Sequence, residues 1–328
     1  MPIQVLDPFN LGLTILITVA YQLLGFLVAW TLQFDKITDF TGGSNFFILA
    51  LVTLGLAQTS NARNVIVTVL TLVWASRLAG FLLYRVLKVG SDSRFDEIRS
   101  HFWQFFGFWM GQIIWVWTVS LPVTIVNSPA VLNSSENTSF GTAADGIGLT
   151  LWIIGWLTES IADLQKFRYK ASRPPQNRPI QIGLWYYSRH PPYFGEILCW
   201  WGIWTLAFSA TSGAGNPAKH ALYGSVVSPL FTTFLLMFAS GIPTAEKPQA
   251  KKFYLLTHGS NAKDENANAW ANYQAYLEST SILFPVPPMV YRRLPPLLKR
   301  TLLLDFPMYQ FDENIDGSKA VEEERSVA

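Results

Sequence analysis

The residues best suited to chemistry in this sequence form one dense group in its middle. Six basic residues lie from Lys166 to Arg189. His190, Tyr193 and Glu196 follow immediately. Attraction to anionic lipid headgroups would explain the cations, but it would not explain their close spacing with an imidazole, a phenol and a carboxylate. The group therefore indicates a site for a phosphate-bearing ligand.

Two consecutive prolines predict that a helix begins inside this group. Pro191 and Pro192 suit the first turn of a helix. We therefore expect Arg189 and His190 to stand at a helix N-terminus, where free N–H groups and the helix dipole favour a phosphate. Glu196 would face the same site from the first turns of the helix. In the other interpretation, Glu196 pairs with Arg189 or interacts with the dipole and has no part in chemistry.

An acidic and basic group precedes the first one. Glu159, Asp163 and Lys166 follow one another at spacings of four and three residues, so a helix would carry all three on one face. Charges in or beside a membrane span are costly and indicate function by default. The alternative is a helix end whose charged side chains reach the membrane surface and form a local ion pair.

A third group lies earlier in the chain. Arg77 and Arg85 are eight residues apart and share a helix face, with Tyr84 adjacent to it. Arg94 follows in a polar segment. A buried arginine in a helix bundle is costly unless it is paired. We therefore expect a phosphate or carboxylate partner, above all for Arg85 and Arg94.

The composition shows what kind of protein must position these residues. Half of the 328 residues are hydrophobic and 14% are charged, whereas a soluble domain carries about 25% charge. Such a chain suits a lipid-facing surface. The net charge of +2 is too small to suggest nucleic-acid binding, and the single cysteine, Cys199, excludes an internal disulfide. No residues have metal-ligand spacing.

Seven apolar stretches are long enough to cross a bilayer, which takes about 20 residues. They are Pro8–Phe34, Phe40–Ala62, Asn64–Leu87, Ser100–Ser135, Gly146–Ala162, Ile197–Ala218 and His220–Ala245. The sequence therefore predicts an all-α fold, a polytopic membrane bundle of about seven transmembrane helices.

The basic residues between these stretches predict the orientation. All but four of the 24 lysines and arginines fall on one side of the membrane. Arg63 and Lys219 fall on the other side, and Arg77 and Arg85 lie within a span. The positive-inside rule assigns the crowded side, and with it the C-terminus, to the cytosol. We expect the membrane to be the endoplasmic reticulum.

Composition also predicts the domain organisation. Residues 1–245 would form the membrane domain, and residues 246–311 a cytosolic extension that completes it. Residues 312–328 are acidic and polar, which predicts a disordered tail.

One known family resembles the chain over most of its length. The steroid 5α-reductase family, particularly its broad branch of uncharacterised membrane proteins, is similar in Gly183-Leu-Trp-Tyr-Tyr-Ser-Arg-His-Pro-Pro-Tyr-Phe-Gly-Glu196 and in the arginine-rich loop before it. Further similar segments are Asp39 to Gly43, Trp74 to Arg85, Trp270 to Tyr273 and Thr280 to Pro288. The Arg-His-Pro-x-Tyr-x-Gly core also resembles sterol reductases and isoprenylcysteine methyltransferases, so it leaves hydride transfer and methyl transfer both open.

The resemblance implies a seven-helix membrane enzyme. It would bind NADPH among the cytosolic ends of its helices and reduce a polarised C=C bond in a lipid. The residues on positions that the family uses around its cofactor are Glu159, Asp163, Arg168, Arg178 and Glu196. The chain departs from the family at Pro192, where relatives commonly have Asn, so an amide that could bind the cofactor is missing.

The number of cations favours NADPH over S-adenosylmethionine. NADPH carries three phosphates, and phosphates are bound best by several charge-assisted contacts. The side chains that could share them, with His190 beside them, are Arg85, Arg94, Lys166, Arg168, Arg178 and Arg189. S-adenosylmethionine (SAM) needs far fewer cations. A SAM-dependent membrane methyltransferase of the isoprenylcysteine type is therefore the alternative, and a non-catalytic scaffold or transporter is the third class.

A reductase of this kind needs an acid as well as a hydride donor. Hydride would go to the electron-poor carbon of an enone-like steroid, sterol or other lipid from the bilayer, while an acid polarises the carbonyl or supplies the proton. The candidates for this acid are Tyr193, Tyr187, Tyr84 and a neutral Glu196. Apolar surroundings favour the acid form of a carboxyl group.

Overall fold

The computed structural model describes residues 1–33, 37–89, 98, 100–134, 139–260 and 262–327, with side chains up to residue 80 in the second range. Helices joined by short 3₁₀ and π turns make up the described chain. Its residues form no β-strand, only two isolated bridges. The prediction of an all-α fold is confirmed.

The first of two compact units comprises Met1–Ile153 and Cys199–Thr232. Its helices begin with α1 (Leu11–Thr31), α2 (Thr38–Ala57), α3 (Ala62–Val89), α4 (Phe102–Val119), α5 (Leu121–Val126) and α6 (Pro129–Ser134). Parts of α7 (Ala143–Ala171), α8 (Pro191–Phe208) and α10 (Val227–Phe234) belong to it, as does the whole of α9 (Asn216–Gly224).

The second unit comprises Ile154–Leu198 and Thr233–Ala328. It contains the second part of α7, the start of α8, α11 (Ile242–His258), α12 (Ala269–Ser279), α13 (Pro288–Tyr291), α14 (Pro296–Thr301) and α15 (Ser318–Val327). These boundaries differ from the expected division at residue 245, because residues 154–198 and 233–245 belong to the same unit as the C-terminal extension.

Five helical stretches are long and apolar enough to cross a membrane. They are Leu11–Thr31, Thr38–Ala57, Ala62–Gly80, Ala143–Ala171 and Asn216–His258. The fourth and sixth predicted spans correspond to α4 and α8, which have 18 residues each. The seventh corresponds to α9 and α10 with the π turn Leu235–Ala239. The chain is thus a polytopic, integral membrane protein.

Aromatic and polar side chains fill the interior of the first unit. The ring centroids of Phe46 and Trp74 lie 5.2 Å apart, and that of Trp200 lies 4.8 Å from Trp74. Arg63 and Asp145 form a buried ion pair through two hydrogen bonds, of 2.9 and 2.8 Å. Buried polar groups in a bundle are stable only when they are paired, so this pair fixes α3 against the start of α7.

The acidic C-terminal end is helical, where its composition predicts disorder. Asp312 caps the turn before α15, because its carboxylate accepts hydrogen bonds from the N–H groups of Asn314 and Ile315. Lys251 of α11 pairs with Glu323 of α15, and Ala320 is buried. A cap, an ion pair and a buried apolar residue provide the order that low hydrophobicity alone does not predict.

Close contact between α7 and α8 in the first unit depends on glycine. A Cβ atom added to Gly202 would lie 2.7 Å from both the Gly148 carbonyl oxygen and the Trp152 backbone nitrogen. Small residues at such crossings let helix backbones approach, and backbone atoms cannot move aside as a flexible side chain can.

We therefore expect Gly202→Ala to destabilise the protein by about 1–3 kcal/mol, the usual cost of overpacking. The measurement is the midpoint of thermal unfolding in detergent, followed by tryptophan fluorescence. Gly111→Ala in α4 is the matched control, because an added Cβ there meets nothing within 4 Å. Equal midpoints for the two variants would show that α7 and α8 tolerate separation at this point.

Candidate functional site

Ten of the predicted site residues lie in the second unit. Four are on α7: Glu159, Asp163, Lys166 and Arg168. The others lie in the connection to α8 or in its first turns: Arg178, Tyr187, Arg189, His190, Tyr193 and Glu196. The side chains of Tyr84, Arg85 and Arg94 lie outside the described residues.

The guanidinium group of Arg189 lies at the centre of a buried ionic network. It donates a hydrogen bond of 2.6 Å to Glu246 of α11 and one of 2.7 Å to Asp305. Asp305 also accepts a hydrogen bond from the Tyr291 hydroxyl. Burial opposes the charge of Arg189, but Glu246 and Asp305 outweigh it and raise the pKa of the guanidinium above its usual value. Arg189 therefore remains a cation in the protein interior.

His190 contacts the other oxygen of the Glu246 carboxylate. Its Nε2 lies 2.7 Å from Glu246 Oε1, and its ring stacks on Tyr193 at an interplanar angle of 8°. Burial lowers the pKa of His190 below its usual value, against the opposing effect of Glu246. The imidazole is therefore neutral at pH 7, and Nε2 must carry the proton because a carboxylate can only accept. This tautomer leaves Nδ1 as an acceptor.

Backbone contacts hold the Arg-His pair in place. Arg189 N–H donates to the Ser281 carbonyl over 2.8 Å, and Ser188 forms an isolated parallel bridge with Ser281. The Ser188 hydroxyl donates to the Leu283 carbonyl over 2.7 Å and accepts from His190 N–H over 3.1 Å. The segment that follows α12 therefore fixes the start of α8.

The N-terminus of α8 differs from the expected anion site. The helix does begin at Pro191, as the prolines predict. Pro191 and Pro192 have no N–H groups, however, and those of Tyr193 and Phe194 donate to the His190 carbonyl. The expectation of free N–H groups for a phosphate is wrong, because the residues that begin the helix are also those that lack donors.

The predicted role of Arg189 changes for a similar reason. Both terminal nitrogens of its guanidinium bind carboxylates of the protein, so it holds α11 and the Asp305 segment instead of presenting itself to a ligand. It also does not form the alternative pair with Glu196, since its partners are Glu246 and Asp305. Arg189 is a structural cation, and a phosphate could bind its terminal nitrogens only in competition with these carboxylates.

The acidic and basic face of α7 packs on the first turns of α8 through glycine. A Cβ atom added to Gly195 would lie 2.5 Å from the Gly155 carbonyl oxygen and 2.8 Å from the Glu159 backbone nitrogen. Glu159 is consequently buried, with 3% of its surface exposed, whereas Asp163 and Lys166 are half-buried. The predicted common face of α7 thus points partly inward and partly toward the surface.

Trp185 packs against the end of the acidic and basic face of α7. Its indole N–H donates to the Ala162 carbonyl over 2.9 Å, and the Lys166 ammonium lies 4.7 Å from its ring centroid. Gly183 precedes it with φ +51°, beside the Gln165 side chain. A Cβ atom there would lie within 2.1 Å of Gln165 Nε2, so the turn that places Trp185 needs glycine.

Two of the predicted cations remain accessible. Arg168 and Arg178 are exposed, and neither forms an ion pair with a described residue. The loop is fixed next to Arg178, because Asn177 donates to the Glu265 carbonyl and accepts from Asn272. These arginines can bind an anion without first breaking an internal ion pair.

Sequence reasoning missed three members of the ionic network. Glu246, Asp305 and Tyr291 lie outside every predicted group. The signal was present for two of them: Glu246 directly follows an apolar stretch, and Asp305 directly follows three leucines and precedes Phe306. An isolated carboxylate in apolar sequence needs a partner when it is buried.

The described residues contain no cluster of His, Cys, Asp or Glu that could hold a metal ion.

Comparison with protein-family models gives a match over most of these elements. Residues 25–258 match the family described as "Protein of unknown function (DUF1295)". The chain belongs to this family. The DUF1295 match includes the α7 face, the Arg-His pair and Glu246, and it ends before Tyr291 and Asp305. The comparison with curated proteins and the comparison with solved structures each found no match to the chain.

We expect Glu246→Gln to destabilise this DUF1295 protein by about 3–5 kcal/mol, because the variant leaves the Arg189 charge buried with one partner removed. Thermal unfolding in detergent measures the change. Glu265→Gln is the matched control, because this carboxylate is exposed and its lysine partner is 4.0 Å away; a change within about 0.5 kcal/mol is expected there. A Glu246→Gln variant as stable as the control would mean that Asp305 alone compensates Arg189.

Proposed function

We propose that the protein is a membrane-embedded, NADPH-dependent reductase of a C=C bond in a steroid, sterol or other lipid. The resemblance of the Gly183–Glu196 segment to the steroid 5α-reductase family supports this assignment. The geometry adds a physical argument, because the second unit combines accessible cations for phosphates with half-buried groups that can donate a proton. The cytosolic C-terminus and the endoplasmic reticulum membrane are part of the proposal.

The observation that carries the proposal is a pair of exposed arginines, Arg168 in the last turn of α7 and Arg178 on the connection from α7 to α8. Among the described residues, the guanidinium groups of Arg168 and Arg178 have no ion-pair partner, and such groups suit the bidentate binding of phosphate oxygens. Lys166 adds a cation at the end of the α7 face. These side chains would hold the phosphates of NADPH, which when bound supplies the hydride. Arg189 would act indirectly, because its ion pairs fix the Arg-His pair at the start of α8.

The proton would come from the first turns of α8. Tyr193 and Glu196 are both half-buried, and Tyr193 stacks on the neutral His190. Tyr187 is 39% exposed, so it is a poorer acid for a reaction that must exclude water. Tyr193 and Glu196 are therefore the donors we favour, and Tyr187 and Tyr84 are secondary candidates.

One observation favours a second function. The loss of Arg189 and of the α8 N–H groups as phosphate donors leaves fewer contacts for NADPH than the sequence predicts. SAM has no phosphate and needs none of them. A SAM-dependent membrane methyltransferase of the isoprenylcysteine type is therefore the alternative, and binding of NADPH or SAM to the purified protein distinguishes the two.

The arginine assignment leads to a binding experiment. Arg178→Ala should weaken NADPH binding by about 1.5–3 kcal/mol, the value of one charge-assisted hydrogen bond, which is roughly 10- to 150-fold in Kd. Arg178→Lys should recover part of the loss, because a point charge replaces a bidentate group. Isothermal titration with the detergent-purified protein measures both constants.

Arg325→Ala is the control for this experiment, because Arg325 is an exposed arginine of the same unit on α15. It should leave the NADPH dissociation constant unchanged. If Arg178→Ala and Arg325→Ala bind NADPH equally well, the loop does not hold the phosphates. Binding of SAM with no binding of NADPH in the parent protein would replace the reductase by the methyltransferase.

The carboxylate assignment leads to a kinetic experiment. Glu196→Gln keeps the size of the side chain but removes the acid, so turnover should fall about 100-fold or more if Glu196 donates the proton. Single-turnover oxidation of NADPH with an enone lipid, at saturating cofactor, measures the rate. The parallel variant Tyr193→Phe tests the other donor. A Gln variant with the parent rate would remove Glu196 from the catalytic residues.

A further inference from the structure

A short repeat follows α12 in the second unit. Residues 287–302, here the proline-basic segment, contain Pro287-Pro-Met-Val-Tyr-Arg-Arg and then Pro295-Pro-Leu-Leu-Lys-Arg. Each copy has a proline pair, an apolar pair and a basic pair in the same order. The proline pairs begin the short helices α13 and α14, because proline is preorganised for the first helical turn.

The apolar pairs of both copies are exposed. Met289 is 73% exposed and Val290 50%, while Leu297 is 70% and Leu298 37% exposed. Leu302 follows with 68%. None of these residues belongs to the five stretches that are long and apolar enough to cross a membrane. Scattered apolar residues are ordinary on a surface, but five exposed apolar residues among the sixteen of one segment are a local concentration that is typical of an interaction site.

The basic pairs are exposed beside the apolar pairs. Arg292, Arg293 and Arg300 are exposed, and they form no ion pair with a described residue. Lys299 lies 4.3 Å from the Tyr291 ring centroid, so its charge is held near the segment. The acid nearest in sequence, Asp305, binds Arg189 and Tyr291 instead. The segment therefore presents cations that no carboxylate in the described part of the chain neutralises.

We propose that the proline-basic segment lies in the interface of the membrane and binds anionic lipid headgroups. Apolar side chains that enter the acyl boundary and cations that meet phosphate or carboxylate groups are the two signals that stable interfacial binding needs. Both signals recur in each copy of the repeat, and the two proline pairs begin only eight residues apart. Each cation strengthens attachment to an anionic leaflet about fivefold. A wholly apolar protein groove would cover the leucines but would leave the arginines unmatched.

The proline-basic segment is also joined to the ionic network of Arg189. Asp305 lies three residues beyond Leu302 and binds Arg189 over 2.7 Å, while Tyr291 belongs to α13 and binds the same carboxylate. The segment is therefore fixed to the remainder of its unit by buried polar contacts and presents its apolar and basic side chains outward. This geometry suits a surface anchor better than a free linker.

The test uses the full-length protein in lipid nanodiscs. The native cysteine, Cys199, is first replaced by alanine, and Leu302→Cys is labelled with an environment-sensitive fluorophore. Lipids with a nitroxide on the acyl chain should quench the label. Nitroxide phosphatidylserine should quench at lower mole fraction than nitroxide phosphatidylcholine. A label at Glu265→Cys, whose native side chain is 73% exposed in a polar loop, should be quenched much less.

A charge variant separates anionic recognition from apolar contact alone. Replacing Arg292, Arg293 and Arg300 by glutamine should raise the phosphatidylserine fraction for half-maximal quenching by about fivefold or more. The matched variant replaces three exposed cations elsewhere in the unit, Lys252, Lys263 and Arg325, and should change it little. Equal quenching by the two lipids, equal effects of the two triple variants, or no quenching at Leu302→Cys would each overturn the proposal.

Discussion

The buried charge of Arg189 is the constraint on which the second unit depends. A guanidinium ion in the protein interior is stable only if carboxylates compensate it closely, and here Glu246 and Asp305 do so at 2.6 and 2.7 Å. The two carboxylates come from different parts of the chain, one from α11 and one from the segment after α14. One cation thus fixes the relative positions of three segments that no local sequence pattern would bring together.

The same carboxylate gives the neighbouring histidine its chemical state. Glu246 binds Arg189 with one oxygen and His190 with the other. The imidazole is neutral and has one tautomer, and its ring supports Tyr193 by stacking. A network that resembles a structural ion pair therefore also orients the first turn of α8, where the candidate proton donors lie. His190 is the side chain that connects the structural ion pair to Tyr193, a candidate proton donor.

The sequence predicts the helices better than it predicts the site. Apolar stretches of about 20 residues have few alternatives to a helix in a membrane, and each of the seven predicted stretches contains a helix. The partners of Arg189 are 57 and 116 residues away from it, so local spacing carries no information about them. The two prolines that begin α8 already argue against a phosphate site at its N-terminus. Proline favours a helix start, but it has no N–H group to donate to a phosphate.

The charges of the second unit fall into two classes that differ in what they can bind. Arg189 and Glu246 are buried and paired, so a ligand could reach them only by breaking a costly internal contact. Arg168 and Arg178, like the arginines of the proline-basic segment, are exposed and have no carboxylate partner among the described residues. Composition counts all of these cations alike, and only the pairing distinguishes them. A cation that the fold does not need for its own stability is the one that remains available to a phosphate, whether on a nucleotide or on a lipid.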